Sequence, residues 1–385
     1  MKYLTKTIIL LSFVSFFTDI ASEMLYPVMP LYLQSIGFSI VAIGILEGIA
    51  EAVSGLSKGY FGNLSDKKGV RLPFVRAGYA LSAVSKPLIA FFTNIYWVFA
   101  FRTLDRFGKG IRTGARDAIL SDESTKENKG RVFGFHRGLD TMGAVLGPAL
   151  ALLYLYFYPE NYVMLFYIAF IPGIISIAFT FSIKEKKILP GNAFRGNSFK
   201  EFLLYFKKSG TEYKKSVVGF LAFAFFNSSD VFLLLMLKYK GYSDSYLIGI
   251  YIFYNLIYAL SSFPFGIIAD KIGLKNTFII GLILFAAAYL MITFADNIIL
   301  IFIVFAVYGL YAAGTEGISK AWISNIVSKS ETATAIGTYT AFNSIFLMLA
   351  SFAGGLLWYN FSPQAMFIFS ASGAILVAIY FLLKK

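Results

Sequence analysis

Arg102, Asp105, Arg106, Lys109, Arg112 and Arg116 recur at spacings of three and four. On a helix turning about 100° per residue they share one arc of about 120°. A central charge on that face would cost about 3 kcal/mol against lipid, so the face must meet water or counter-charges. The chemistry open to it is the binding of an ionic solute group and the passing of protons. A carboxylate whose pKa rises on burial and falls beside a cation can exchange a proton for a solute. More carboxylates repeat the pattern. Asp19 and Glu23 lie four apart with Ser15 and Ser22 nearby; Glu47, Glu51, Ser54 and Lys58 form a second stripe; His136 and Asp140 share one side of a third segment, with Arg137 adjacent.

The C-terminal half carries fewer charges: Asn227 with Asp230, and Glu316 four residues before Lys320, the favourable orientation for a helical ion pair. Tyr251, Tyr254, Asn255 and Tyr258 occupy one helical face there, and Tyr339, Thr340 and Asn343 another. Aromatics at this spacing serve packing more often than ligand contact. The candidate substrate- and proton-binding set is therefore Asp19, Glu23, Glu47, Glu51, Arg102, Asp105, Arg106, Lys109, Asp140, Asn227, Asp230, Tyr251, Tyr254, Tyr258 and Glu316. A self-satisfied salt-bridge network is the competing reading of the N-terminal charges, with outer cations such as Arg76 and Lys86 free to snorkel. His136 reads as a satisfied histidine. Without cysteine, and with one histidine, thiolate chemistry and a multi-histidine metal site are excluded. No nucleophile–base pair or phosphate loop is legible, so neither an enzyme nor a cofactor is expected.

The elements that must carry these stripes follow from composition. Apolar residues make up 58% of 385, enough for about twelve spans of about 20 residues. Mean hydropathy is +0.70 and charged residues are 14%, which excludes disorder and a water-soluble fold. Apolar runs between turn signals predict helices near 6–33, 39–61, 72–92, 96–118, 132–156, 163–183, 217–237, 246–265, 276–295, 298–322, 333–358 and 363–383. With a cytoplasmic N-terminus, 22 cations fall in inside segments, among them Lys2, Lys6, nine between Lys184 and Lys215, Lys384 and Lys385. Only Lys238 and Lys240 fall outside. That bias places both termini in the cytoplasm and accounts for the net charge of +13 without a nucleic-acid partner. It also makes the charged 96–118 stretch a span, since an external loop there would carry the basic 184–216 linker outside. The first apolar run continues past Asp19 without a small-residue cleavage site, so it reads as an uncleaved helix rather than a signal peptide.

Gly62-Asn-Leu-Ser-Asp66-Lys67-Lys-Gly69-Val-Arg71 recurs as Gly266-Ile-Ile-Ala-Asp270-Lys271-Ile-Gly273-Leu-Lys275, displaced by 204 residues. Gly37 and Gly241 keep that displacement, and Gly134 and Gly337 keep it within one residue. Two six-helix halves, 1–183 and 217–385, joined by the linker 184–216, are the natural reading.

On these residues the chain resembles the major facilitator superfamily, whose loop signature G-x-x-x-D-(R/K)-x-G-(x)-(R/K) fits both copies. The resemblance implies an all-α membrane protein of twelve transmembrane helices in two pseudo-symmetric bundles. It also implies that the loop is a cytoplasmic gate, in which Asp66, Arg71, Asp270 and Lys275 hold the halves together in one state. Gly134, Gly143, Gly147 and Pro148 follow the spacing of the family's antiporter motif, although Ala151 and Leu152 replace its final glycine pair. Arg106 and Gly110 match the fourth-helix signature, with Arg112 intruding where a small residue is usual. The expectation is a proton-coupled secondary transporter in the inner or plasma membrane, acting as a monomer and exporting a small amphipathic anion or zwitterion. Proton-driven uptake of a nutrient or metal chelate, multidrug export, and a receptor without translocation stand as alternatives.

Overall fold

The computed structural model describes residues 4–38, 40–184 and 200–383. Lys2, Lys384, Lys385 and residues 185–199 of the basic linker lie outside the described residues. The helices are α1 (Lys6–Leu25), α2 (Met29–Ser35), α3 (Ile40–Lys68), α4 (Leu72–Ile89), α5 (Ile95–Asp122), α6 (Lys129–Phe157), α7 (Tyr162–Phe181), α8 (Lys200–Lys208), α9 (Thr211–Phe226), α10 (Val231–Tyr239), α11 (Asp244–Ile272), α12 (Leu274–Phe294), α13 (Ile298–Ile326), α14 (Thr332–Asn360) and α15 (Pro363–Leu383). A 3-10 turn, Lys329–Glu331, precedes α14. No strand occurs among the described residues.

Nine helical segments among the described residues are long and apolar enough to cross a membrane. Its charged stripe keeps α5 out of that set, yet α5 forms unbroken over 28 residues, started by Asn94, whose side chain accepts from the backbone of Tyr96 and Trp97.

Two predicted helices are each broken in two. The run 6–33 splits into α1 and α2 at Tyr26–Val28, where Pro27 cannot donate the helical hydrogen bond and Pro30 opens the next helix. The run 217–237 splits into α9 and α10 across Asn227-Ser-Ser-Asp230. No proline causes this break. Short polar side chains compete for the backbone there, and Ser229 Oγ accepts from Val231 N at 3.3 Å. The predicted loop 62–71 is a correction of the opposite kind: α3 runs on to Lys68 and α11 to Ile272, so Asp66 and Asp270 sit in last helical turns. The turns themselves are Gly69 (φ 62°) and Gly273 (φ 94°), left-handed positions that suit glycine. Gly37 and Gly241 are also left-handed, at 91° and 88°. The repeat displacement read from the sequence is thus a backbone repeat. The linker is not featureless either, since it holds α8 and the start of α9.

The chain divides into two compact units. The first gathers Met1–Thr125, Leu139–Ser209 and Val327–Ala341; the second gathers Lys126–Gly138, Gly210–Ile326 and Phe342–Lys385. Both α6 and α14 therefore begin in one unit and end in the other. In the first unit α5 packs against α3 and α4, and α7 against α1 and α4. Its apolar core includes Met24, Leu33, Leu46, Leu165 and Phe166. In the second unit α13 packs against α11 and α12, and α15 against α12 and α9, around the rings of Phe220, Phe278, Trp322 and Phe381.

Candidate functional site

In the first unit, glycines set how closely the charged helices approach. A Cβ on Gly78 of α4 would meet the Gly108 carbonyl of α5 at 2.6 Å, and one on Gly108 would meet the Gly78 carbonyl at 2.7 Å. Gly110 lies equally close to Ser54 and Ser57 of α3. These contacts bring the stripe of α5 onto side chains from both neighbours. Arg102 clasps Glu47 through two hydrogen bonds, at 2.8 and 2.9 Å, and reaches Asp105 at 3.5 Å. Asp105 also accepts from Ser82 at 2.5 Å and from Lys86 at 3.3 Å. Lys86 is 2% exposed, so it does not snorkel; it is part of the network. Arg76 donates to the Thr180 carbonyl and lies over the ring of Phe181. Further along α5, Arg116 pairs with Asp117 at 2.9 Å, donates to Ser15 at 3.1 Å and lies 3.9 Å from Asp140. Charges that share a face in the sequence are thus largely spoken for.

Four are not. Glu23, Glu51 and Lys109 make no ion pair among the described residues, and Arg106 has only a 3.9 Å approach to Glu47, with its buried Nε unpartnered. Glu23 lies within electrostatic reach of Lys109, Arg106, Asp140 and Arg102. Glu51 lies within reach of Lys58, Lys109, Arg106 and Arg102. Asp19 stands on the same helix as Glu23, half-buried. The predicted set thus separates into a paired network and an open cluster of two acids and two bases.

Gly143 and Gly147 of α6 let α1 approach, because a Cβ on them would meet the carbonyls of Phe16 and Ile20. Pro148 sits inside the same helix. Gly134, from the same motif, does different work in the second unit, where it lies against Ser262 and Gly266 of α11.

The two Gly-Asp motifs make matching contacts. In the first unit, Asp66 is 3% exposed and caps the start of α14, accepting from Thr334 N at 2.7 Å and Thr334 Oγ1 at 2.8 Å. Its other oxygen takes Arg71 at 3.1 Å, and Arg71 also pairs with Asp122 and donates to the Lys329 carbonyl at 2.7 Å. Gly62 lies against Ala333 and Gly337. Burial pushes the Asp66 carboxyl up to about 7, against the pull of Arg71 and of the two Thr334 donors. Tyr205 of α8 adds a hydroxyl bond to Glu331, at 3.2 Å. In the second unit, Asp270 caps the start of α6, accepting from Gly130 N at 2.8 Å and Arg131 N at 3.1 Å, with Arg131 Nε also at 3.1 Å. Gly266 lies against Gly130. Lys67 and Lys275 are half-buried and Lys271 is exposed.

The second unit also holds the tyrosine face. Tyr254 stacks between Tyr258, at 6.2 Å, and Tyr308, at 5.0 Å, and Tyr251 tilts against Tyr254 at 6.1 Å. The Tyr308 hydroxyl donates to Asp230 at 3.2 Å. Asn227 ends α9, its buried Oδ1 unpartnered. Arg137 bonds to Tyr258 and pairs with Glu316, which corrects the expected Glu316–Lys320 pairing. Tyr289, Tyr308 and Tyr311, missed in the sequence, complete this aromatic cluster. They lie within the apolar runs of α12 and α13, where no polar period marks them. Tyr79, Ser82 and Lys86 of α4 were legible as a stripe at spacings of three and four.

Comparison with known proteins agrees with this arrangement. The family model of the Major Facilitator Superfamily matches residues 11–255 and 216–385. MJ1317, an MFS-type transporter of Methanocaldococcus jannaschii, is 32% identical over 381 residues, covering 97% of this chain and 94% of that one. The multi-drug resistance efflux pump PmrA of Streptococcus pneumoniae is 29% identical over 140 residues, 35% of each chain. The crystal structure of the Escherichia coli fucose:proton symporter FucP superposes with a TM-score of 0.80 at 11% identity, covering all of both chains. With its family model matched along the chain and its apolar helices suited to crossing a bilayer, this multi-pass membrane protein belongs to the major facilitator superfamily of secondary transporters.

Proposed function

We propose that the chain is a proton-coupled exporter of a small organic solute, an amphipathic anion or zwitterion, working as a monomer by alternating access. In this reading twelve spans form two halves, 1–183 and 217–385, with 184–216 between them and both termini cytoplasmic, in the inner or plasma membrane. The open cluster of Glu23, Glu51, Arg106 and Lys109 carries the proposal. Glu51 is exposed and Glu23, Arg106 and Lys109 are half-buried, so the cluster is open to a solute or water, whereas collapse into buried pairs would suit a merely structural network. A solute bearing an acidic group fits Arg106 and Lys109, and Glu23 is placed to take up a proton as those cations are engaged. The paired network of Glu47, Arg102, Asp105 and Lys86 would then hold the cluster in position. Asp66 and Asp270, each capping a helix start, support the gate assignment of both Gly-Asp motifs.

Export is supported by the antiporter-motif glycines at the contact of α6 with α1 and by the likeness to PmrA. Vesicles reconstituted with the purified chain test the reading. A pH gradient should drive solute against its concentration gradient, with protons moving the opposite way. Co-movement of solute and protons would turn the assignment to uptake, and saturable binding without translocation would replace the transporter by a receptor.

A further inference from the structure

Arg76 is a cation that neither the paired network nor the open cluster uses, and it stands at the exposed surface of the first unit. It lies one turn into α4, and its side chain reaches the last turn of α7. The ends of spans of this length fall at the level of the lipid headgroups. Pro73 and Ala77, which flank Arg76 on α4, are exposed, as are Ile174, Ala178 and Phe181 along α7. These apolar positions make a face suited to acyl chains. Arg76 is half-buried at its edge, where a phosphate can reach it.

The guanidinium is held in place rather than extended into water, as a snorkelling cation would be. Nε and Nη2 donate to the Thr180 carbonyl at 3.4 and 3.2 Å, which occupies one edge of the fork. The Phe181 ring, 68% exposed, lies against one face at 5.0 Å. Nη1 makes no hydrogen bond among the described residues and is open to the surface. The remaining edge therefore presents one N–H of Nη1 beside one of Nη2, the pairing that takes two oxygens of a single phosphate. Among the described residues no carboxylate stands within ion-pair distance of Arg76. Asp66 and Asp122, at the same ends of α3 and α5, are both taken by Arg71, whereas Lys68 after α3 and Lys184 after α7 are exposed. Cations are in surplus there.

The geometry points to a binding site for an anionic phospholipid, with its headgroup phosphate on the free edge of Arg76 and an acyl chain along the exposed face of α4 and α7. The surplus of cations selects a headgroup of net negative charge over one whose phosphate is already matched by its own ammonium. Bound there, the lipid ties the first turns of α4 to the last turn of α7. The site shares no residue with the Glu23–Lys109 cluster, so it stands whether or not the proposed solute is correct.

The test uses the full chain in detergent, without solute. Phosphatidylglycerol and phosphatidylcholine of matched acyl chains are titrated separately, and bound lipid is counted by native mass spectrometry. Phosphatidylglycerol should bind about fivefold more tightly, the factor that one cation contributes beside anionic lipid. Arg76→Gln should bring the two lipids level and Arg76→Lys should keep part of the preference. Lys207→Gln, which removes a charge from an exposed position on α8, should leave it unchanged. No preference in the unaltered chain, or an equal loss in Lys207→Gln, would overturn the site. Displacement of the lipid by inorganic phosphate would also overturn it, because the fork would then serve a free anion. Should Arg76→Gln fail to fold, a structure of the unaltered chain in phosphatidylglycerol nanodiscs decides: headgroup density beside Arg76 Nη1 supports the site, and lipid density confined to other places refutes it.

Discussion

The contact between Asp66 and the start of α14 should respond to pH in a direction fixed by its burial. In the closed arrangement Asp66 is 3% exposed and titrates near 7; released into water it returns to its ordinary value of 3.8. Between these values the closed form holds a proton that the open form lacks, so linkage makes acid favour closure. The sign is that of a carboxyl raised by burial: the stabilisation is full below about pH 4, falls as pH rises towards 7, and is gone above it. From pH 8 to pH 6 the closed-to-open ratio should rise about tenfold, worth about 1.4 kcal/mol. The absence of native cysteine makes the measurement direct. Spin labels on Lys68→Cys and Ser328→Cys, both exposed and both in the first unit, report the separation of the end of α3 from the segment before α14. Pulsed dipolar spectra should show the short-distance population growing on acidification, and Asp66→Asn, neutral at every pH, should flatten that dependence and impair transport while leaving expression intact. A short-distance population that is constant, or that grows with alkali, would refute the argument. So would an Asn variant that keeps the native pH profile.

Other perturbations separate the paired network from the open cluster. Lys86→Met leaves Asp105 buried with one countercharge fewer and should lower stability by about 3 kcal/mol in chemical denaturation, most of it recovered by adding Asp105→Leu. Arg106→Ala should abolish solute binding in calorimetry with little change in the unfolding midpoint; preserved affinity with a lowered midpoint would assign Arg106 to structure instead. Glu23→Gln should uncouple solute flux from proton flux in vesicles, and if amides at Asp19, Glu23, Glu47, Glu51 and Asp105 all leave coupling intact, the driving ion is not the proton.

How far the sequence foretold these contacts depends on the range over which each is decided. Helix positions and the 204-residue repeat were legible because apolar periodicity and glycine are local signals. Gly37, Gly69, Gly241 and Gly273 are glycines since their backbones are left-handed, which one residue settles for itself. The break after Leu25 also has a local cause, Pro27, although the predicted helix 6–33 ran through it; the break at Asn227–Asp230 depends on polar side chains that many helices tolerate, and was missed as well. Spacing placed Arg102, Arg106, Lys109 and Arg112 on one face but could not say which would be paired. Arg102 is clasped because Gly110 lets α3 bring Glu47 alongside, whereas Arg112 is isolated because the facing turn of α4 offers Gly78 and Tyr79. Glu316 shows the same limit: Lys320 stands at the favourable helical spacing, yet the Arg137 guanidinium, arriving from a segment 179 residues distant, takes the carboxylate. A forked donor that binds Tyr258 and Glu316 together gains more than a flexible ammonium can at one helical turn. Periodicity thus predicts which charges must be compensated, and the choice of compensating partner is made by glycine-permitted approaches between helices that no single stretch of sequence contains.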